Sequence, residues 1–260
     1  MKERIGDVSI ALVGYVALVE MHRPPHNFFD HALIRDLADA FEMLDAEPGC
    51  RTLVLAAEGK SFCAGANFHA NNAGPDQPAK IDTNPLYTEA VRLFSCKKPV
   101  VAAVHGPAIG GGFGVALVAD FRVVCEETRF AANFVHLGIH PGFGLTHTLP
   151  RLIGSQKASL LFYTGRRIDG RTAIEWGVAD LFTARDQVRS AAQALADEIA
   201  LGAPLAVQST RATMRHGLAH AVKDQTDHEF IEQQRLFATE DHKEGVRAVT
   251  ERRPGNFTGR

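Results

Sequence analysis

Two loops of small residues are the segments of this 260-residue chain best suited to chemistry. The first, Gly59–Asn67 (GKSFCAGAN), directly follows an apolar run, and Ala64, Gly65 and Ala66 leave their backbone N–H groups open to a ligand. The second, Gly106–Gly114 (GPAIGGGFG), also follows an apolar run and opens a helix expected over Phe113–Ala119. Free N–H groups at a helix start, with the positive end of the dipole behind them, stabilise negative charge. Two such loops together suit a paired backbone oxyanion hole, whereas one glycine cluster alone serves close packing of helix on strand equally well. Neither loop is a nucleotide fingerprint: G-x-G-x-x-G lacks its third glycine and no GK[ST] ends the loop, which disfavours a nucleotide-dependent oxidoreductase.

Side chains able to move protons are scarce nearby, since no Asp or Glu occurs from Thr128 to Ile168. His136 and His140 suit acid–base work near neutral pH. In an extended loop His136 shares a side with Phe134, two residues earlier, and is the favoured base. His69, just after the first loop, is a second candidate; Asn133 and Cys63 are weaker, and Cys63 has no evident base partner. His136 and His140 have the spacing of a helical metal pair, but Gly138 and Pro141 oppose a helix and no third ligand accompanies them, so no metal site is expected. Phe113, Phe134 and Phe143 read as lining for an apolar acyl pocket or, equally, as core aromatics.

The elements that position these loops follow from pattern. Val8–Leu12 and Tyr15–Met21 flank Gly14 as a hairpin, and Asp30 is a plausible cap for a helix running to Pro48 and Gly49. Thr52–Ala56, Pro99–Val104 and Phe121–Cys125 read as strands buried on both faces, each followed by a glycine-bearing loop and a helical stretch. Asn71–Pro85 (NNAGPDQPAKIDTNP) has the composition of a surface loop, a possible flap. Beyond Gln187 the pattern is wholly helical: one face of Val188, Ala191, Ala192, Leu195 and Ile199, then a helix opened by Pro204, then a third marked by Phe230, Ile231 and Phe237. The expected division is a core over residues 1–200 and a C-terminal helical oligomerisation region over 201–260.

Charge is close to balanced, 30 acids against 28 Lys and Arg, which argues against a nucleic-acid partner. Its distribution is uneven. Only Asp120, Glu126 and Glu127 lie between residues 90 and 168, against nine cations: Arg92, Lys97, Lys98, Arg122, Arg129, Arg151, Lys157, Arg166 and Arg167. That window is either buried core, where charge is avoided, or a site friendly to an anion. Pro99–Ala119 carries no charge over 21 residues, but its five Gly, two Pro and His105 oppose a membrane span. The N-terminus does not read as a signal peptide, and Cys50, Cys63, Cys96 and Cys125 lack metal or disulfide spacing, so a cytoplasmic protein is expected.

The segments HRPPHN (residues 22–27), SFCAGAN (61–67), KPVVAAVHGPAIGGGFGVALVADFRVV (98–124), LGIHPGFGLTHTLPRLIG (137–154), LFYTGRRIDGRTAIEWGVADLF (161–182) and ERRPGNF (251–257) together resemble the crotonase, or enoyl-CoA hydratase/isomerase, superfamily over nearly the whole chain. The resemblance implies an α/β fold, a spiral of ββα units with a C-terminal helical trimerisation region, and a homotrimer or dimer of trimers. It implies an acyl-CoA substrate, with coenzyme A entering as part of the thioester and no permanently bound cofactor. The two oxyanion donors fall on the N–H groups of Ala66 and Gly111, with Ala64 and Gly65 beside them, and the CoA-contacting turn on Pro24, Pro25 and His26.

The same resemblance implies two hydratase glutamates, which fall on Gly114 and Phe134, and a downstream carboxylate of some relatives, which falls on Gly142. None of the three titrates. The expectation is therefore an acyl-CoA enzyme that stabilises a thioester enolate using other acid–base groups, His136 first. Alternatives are a malonyl-type CoA decarboxylase, which needs no carboxylate base, and a carrier or regulatory subunit that binds acyl-CoA without turnover.

Overall fold

The computed structural model of the chain describes residues 3–66 and 83–260. His69, and the Asn71–Pro85 loop up to residue 82, lie outside the described residues. A short strand β1 (Arg4–Ile5) joins a hairpin of β2 (Val8–Val13) and β3 (Val16–Met21), whose register closes at Val13 opposite Val16. Gly14 at the turn has φ +59°, the left-handed conformation that two-residue hairpins require. Asp30 caps α1 (His31–Ala46), its carboxylate accepting from the Leu33 N–H, and the helix buries Leu33, Leu37, Phe41 and Leu44.

Next come β4 (Thr52–Ala57), α2 (Thr83–Phe94), β5 (Val100–Val104), β6 (Pro107–Ile109), α3 (Gly111–Val118), β7 (Phe121–Val124) and β8 (Arg129–Ala131). A 3-10 turn over Asn133–Leu137 leads to α4 (Leu145–Ile153), α5 (Ser155–Thr164), β9 (Arg167–Asp169), α6 (Gly170–Trp176) and β10 (Leu181–Phe182). The chain ends in α7 (Val188–Ala200), α8 (Pro204–Met214), α9 (Leu218–Phe237) and α10 (Glu240–Glu251). Seven strands form one sheet in the order β1-β2-β3-β4-β5-β7-β10, parallel from β3 onward, and β6-β8-β9 form a small second sheet. The ββα order expected from the resemblance is visible in β5-β6-α3: one strand in the large sheet, one in the small sheet, then a helix.

Both faces of the large sheet are covered, as continuous apolar strands demand. Leu53 and Leu55 face the main core with Leu37 and Phe41, while Val54, Val101 and Val123 face Val188, Ala192 and Ala196 of α7. Among the described residues no helix is long and apolar enough to cross a membrane. The acid-poor window resolves mostly as this core. Lys98 and Arg122 are buried and donate to backbone carbonyls, of Leu44 and Glu47 and of Val178 and Ala119 respectively, and Arg92 pairs with Asp39, Glu42 and Glu89. Their positive charge serves the fold and not an anion.

The C-terminal helices are locked to the rest by Glu229 of α9. Fully buried, its carboxylate accepts from the N–H of Gly144 (2.8 Å), the N–H of Thr146 (3.1 Å) and the Thr146 hydroxyl (2.6 Å), at the start of α4. Burial nevertheless pushes the carboxyl up to about 7, against the pull of those donors. The folded protein therefore holds a proton on Glu229 that the unfolded chain releases near pH 4.5, and this contribution to stability is lost as pH rises between those values. In urea denaturation, the stability of the wild type relative to Glu229→Gln should fall by roughly 3 kcal/mol from pH 4.5 to 7.5, at about 1.4 kcal/mol per unit. A difference that is flat or rises with pH contradicts this assignment.

Candidate functional site

The two small-residue loops meet because each completes the other's hydrogen bonding. Cys63 bridges Ala108: the Cys63 N–H donates to the Pro107 carbonyl at 3.1 Å and the Ile109 N–H donates to the Cys63 carbonyl at 2.9 Å. On its other side the first loop pairs with residues 26–29, the Ala64 N–H donating to the His26 carbonyl and the Phe29 N–H to the Gly65 carbonyl, both at 2.9 Å. Two glycines permit this approach. A Cβ on Gly112 would lie 2.1 Å from the Cys63 carbonyl oxygen, and one on Gly65, where φ is +88°, would lie 2.8 Å from that of Ile109 and 3.8 Å from the Gly111 nitrogen.

A cavity of about 330 Å³ opens where the loops meet, with Ala64, Gly65, Ala66, Gly110 and Gly111 on its wall. Gly111 is the first residue of α3, so its N–H has no acceptor within the helix. Among the described residues, neither it nor the Ala66 N–H reaches a backbone carbonyl. The rest of the wall is largely apolar: Phe28, Phe29, Leu86, Phe134, Leu137, Ile139 and Phe143, closed by Phe237 of α9 and Val246 and Val249 of α10. Two polar side chains from different helices, Tyr87 of α2 and Gln233 of α9, also line it, with Asn133, Arg167 and Thr250. Backbone donors without an acceptor, set in apolar surroundings, stabilise negative charge more than the same donors do in water.

Comparison with known proteins identifies the family. The family model for enoyl-CoA hydratase/isomerase matches residues 13–260. The chain belongs to the enoyl-CoA hydratase/isomerase family. A probable enoyl-CoA hydratase of Mycobacterium tuberculosis is 33% identical over 88% of this chain and 89% of its own length. A crotonyl-CoA hydratase of Syntrophomonas wolfei is 31% identical over 93% and 94%. Among solved structures, an enoyl-CoA hydratase/isomerase of Pseudoalteromonas atlantica superposes with a TM-score of 0.86 at 27% identity, covering 97% of this chain and all of that one. A carnitinyl-CoA hydratase of Mycobacterium avium gives 0.85 at 28% identity, over 99% and 100%.

In this member of the enoyl-CoA hydratase/isomerase family, several sequence expectations need correction. His136 is exposed, its Nε2 in a hydrogen bond of 3.1 Å with the Thr164 carbonyl, and it is not on the cavity wall. The segment is a 3-10 turn and not extended, and at three residues per turn positions 134 and 136 no longer share a side. His140 is likewise engaged, with the Pro141 carbonyl. Phe113 is fully buried against Phe130, ring centroids 4.8 Å apart, and is core and not pocket; Phe134 and Phe143 do line the cavity. Cys63 is fully buried and burial pushes its thiol up to about 12, which removes it as a nucleophile. Among the described residues no three His, Cys, Asp or Glu cluster as a metal site.

The Pro24–Pro25–His26 turn packs on the first loop through a cis peptide, the Pro25 carbonyl accepting from the N–H groups of Lys60 and Ser61 and His26 hydrogen bonding Ser61 Oγ, but none of the three lines the cavity. Of the nine cations in the acid-poor window, Arg167 is the one on the wall. Sequence reasoning missed Phe28, Phe29, Tyr87, Gln233 and all of α10; the aromatic pair directly after Asn27 was the available signal.

Gly114 itself does not border the cavity, because Phe143 stands over it. A Cβ there would lie 2.6 Å from the Phe143 ring, which is held at φ +63° and contacts Phe29 at 5.6 Å between centroids. Left-handed backbone on a phenylalanine is costly, and the surrounding packing enforces it. Gly114→Glu should therefore lower stability by about 1–3 kcal/mol in thermal denaturation through overpacking, with no gain of crotonyl-CoA hydration. A variant that melts like the wild type and hydrates faster would show that Phe143 yields freely.

Proposed function

We propose that the chain binds an acyl group as its CoA thioester and holds the enolate that forms at C2 between the N–H groups of Ala66 and Gly111. The observation that carries this reading is a pair of backbone donors, contributed by two different loops, that meet no backbone carbonyl among the described residues, on the wall of a largely apolar cavity. As a proton leaves C2 the carbonyl oxygen gains charge, and donors already in place stabilise it without reorganising. Relatives whose names specify a substrate, a crotonyl-CoA hydratase and a carnitinyl-CoA dehydratase, act on CoA thioesters, which supports the substrate class. Coenzyme A enters with the substrate, and the turn at Pro24, Pro25 and His26 is the proposed support for its pantetheine arm. Among the described residues the wall bears no carboxylate, so proton transfer uses other groups than a pair of glutamates.

The C-terminal region from residue 201 is proposed to pair with further copies as a trimer or dimer of trimers. Leu201, Leu205 and Met214 are 86%, 79% and 70% exposed on and just before α8, an apolar surface that water disfavours. Sedimentation should show a trimer or hexamer that Leu205→Lys with Met214→Lys weakens; a monomeric wild type contradicts the assembly.

The enolate reading is tested by exchange of the C2 protons of butyryl-CoA in heavy water. The wild type should catalyse exchange, and Ala66→Pro, which deletes one donor and leaves the Gly65–Phe29 pairing in place, should slow it on the order of 100- to 1000-fold while binding changes little. Tight binding without exchange by the wild type would identify a carrier instead.

A further inference from the structure

We propose that Tyr87 is the catalytic residue that exchanges a proton with the substrate carbon, held in place by Gln233 as its positioning residue. This rests on the enolate reading of the same cavity. Among the described residues on the cavity wall, Tyr87 and Arg167 are the ones whose side chains carry a titratable group. A guanidinium stays protonated throughout the range in which proteins work, so it can attract charge but not cycle a proton. A phenol can do both, as donor in one direction and acceptor in the other.

The placement of Tyr87 is built and not incidental. Its ring comes from α2 and is 7% exposed; its hydroxyl donates at 2.8 Å to Gln233 Oε1, from α9. Gln233 is 3% exposed, and its Nε2 donates at 3.0 Å to the His140 carbonyl. That second bond sets the amide's orientation: with the nitrogen committed to a carbonyl, the oxygen must face the phenol. Two helices distant in sequence thus bring one polar pair into an apolar cavity, where a polar atom is retained only if it is satisfied or used. Gly142 completes the arrangement. A Cβ there would lie 2.0 Å from the Tyr87 oxygen and 2.6 Å from Gln233 Nε2, so any side chain at 142 would displace the pair. Phe143 beside it stands next to Gly111, whose added Cβ would be 3.7 Å from the Phe143 ring, so one short turn joins the donor loop to the phenol.

The step balances without a co-reactant. The phenol first gives up its proton to solvent water; the C2–H bond then breaks as its proton passes to the phenolate oxygen, and the electron pair moves into C1–C2 while charge moves to the thioester oxygen at the backbone donors. In return the phenolic O–H bond breaks, a new C2–H bond forms from the enolate electron pair, and the carbonyl is restored. Between the two halves the phenol trades its proton with water, which produces isotope exchange.

The test compares wild type with Tyr87→Phe and Gln233→Leu, by the same exchange of butyryl-CoA, each measured for kcat, KM and dissociation constant. Tyr87→Phe keeps the ring and should lower kcat for exchange by about 100-fold or more, with KM and affinity within about threefold. Gln233→Leu should lower kcat by about tenfold with KM unchanged, the signature of a misplaced phenol and not of a damaged pocket. If the wild type exchanges and Tyr87→Phe does so at an undiminished rate, this proposal is overturned while the enolate reading stands. Loss of binding and turnover together in a folded Tyr87→Phe makes Tyr87 a binding group and overturns it also. A wild type without exchange overturns the enolate reading, and this one with it. Should Tyr87→Phe fail to fold, the wild type labelled with [13Cζ]tyrosine is titrated with a nonreactive dethia analogue of butyryl-CoA: the Tyr87 resonance should shift on saturation, and an unshifted resonance rules the proposal out.

Discussion

The site depends on one close approach, that of the amino end of α3 to the loop after β4. Main chain lies against main chain here: the Cys63 carbonyl occupies the space of a Gly112 Cβ, and the Lys60 carbonyl lies 2.3 Å from where a Gly106 Cβ would be. Residues larger than glycine at 106 or 112 push the two segments apart, and a well-packed interior has little room to absorb the shift. Because the segments touch, Cys63 and Ala108 pair, the small sheet gains its extension, and Ala66 and Gly111 reach one cavity. The backbone geometry that fills the carbonyls of this contact leaves those two N–H groups over. The proposed oxyanion donors are thus a by-product of how the loops pack.

The opposite wall is assembled from far along the chain. Glu229 fastens α9 to the start of α4, Gln233 one helical turn later meets Tyr87 of α2, and Phe237 lies at the end of the same helix. Spacing of 229, 233 and 237 places all three on one face of α9. Helices of the region read from the sequence as an oligomerisation module therefore line this cavity. Phe143 is the pivot between the two walls: its left-handed backbone turns the ring onto Phe29 and over Gly114.

Much of the fold was legible because it rests on local signals. The hairpin turn at Gly14, the Asp30 cap and the uniformly apolar β4 and β5 each state their structure within a few residues. The close approach of the two loops was legible for the same reason, since small residues let main chain pack against main chain. What failed was everything that depended on direction or on distant partners. His136 pointed away because a 3-10 turn rotates each residue by about 120°, which a reading based on alternation cannot anticipate. The positive window stayed open between core and anion site because composition does not reveal whether a lysine ends at a phosphate or, as Lys98 does, at the carbonyls of Leu44 and Glu47. Tyr87 and Gln233 are 146 residues apart, and nothing local in either helix announces the other.

The polarity of the described wall follows one electrostatic logic. An enolate oxygen and a carboxylate about 4 Å apart repel by roughly 4 kcal/mol at an effective dielectric constant of 20, and by more in a drier setting. A cavity that holds such a charge with only two backbone donors gains from keeping ionised acids away. Gly114 and Gly142 carry no side chain, and the space beside each is taken by an aromatic ring or by a phenol and an amide, not by a carboxylate. Glu229, packed near this region, is turned onto the amide hydrogens at the start of α4, and burial raises its affinity for a proton. On the proposed reading, hydrogen-bond donors set against aromatic walls make a surface whose attraction for the substrate grows as negative charge develops on it, and such growth accelerates a reaction instead of merely tightening binding.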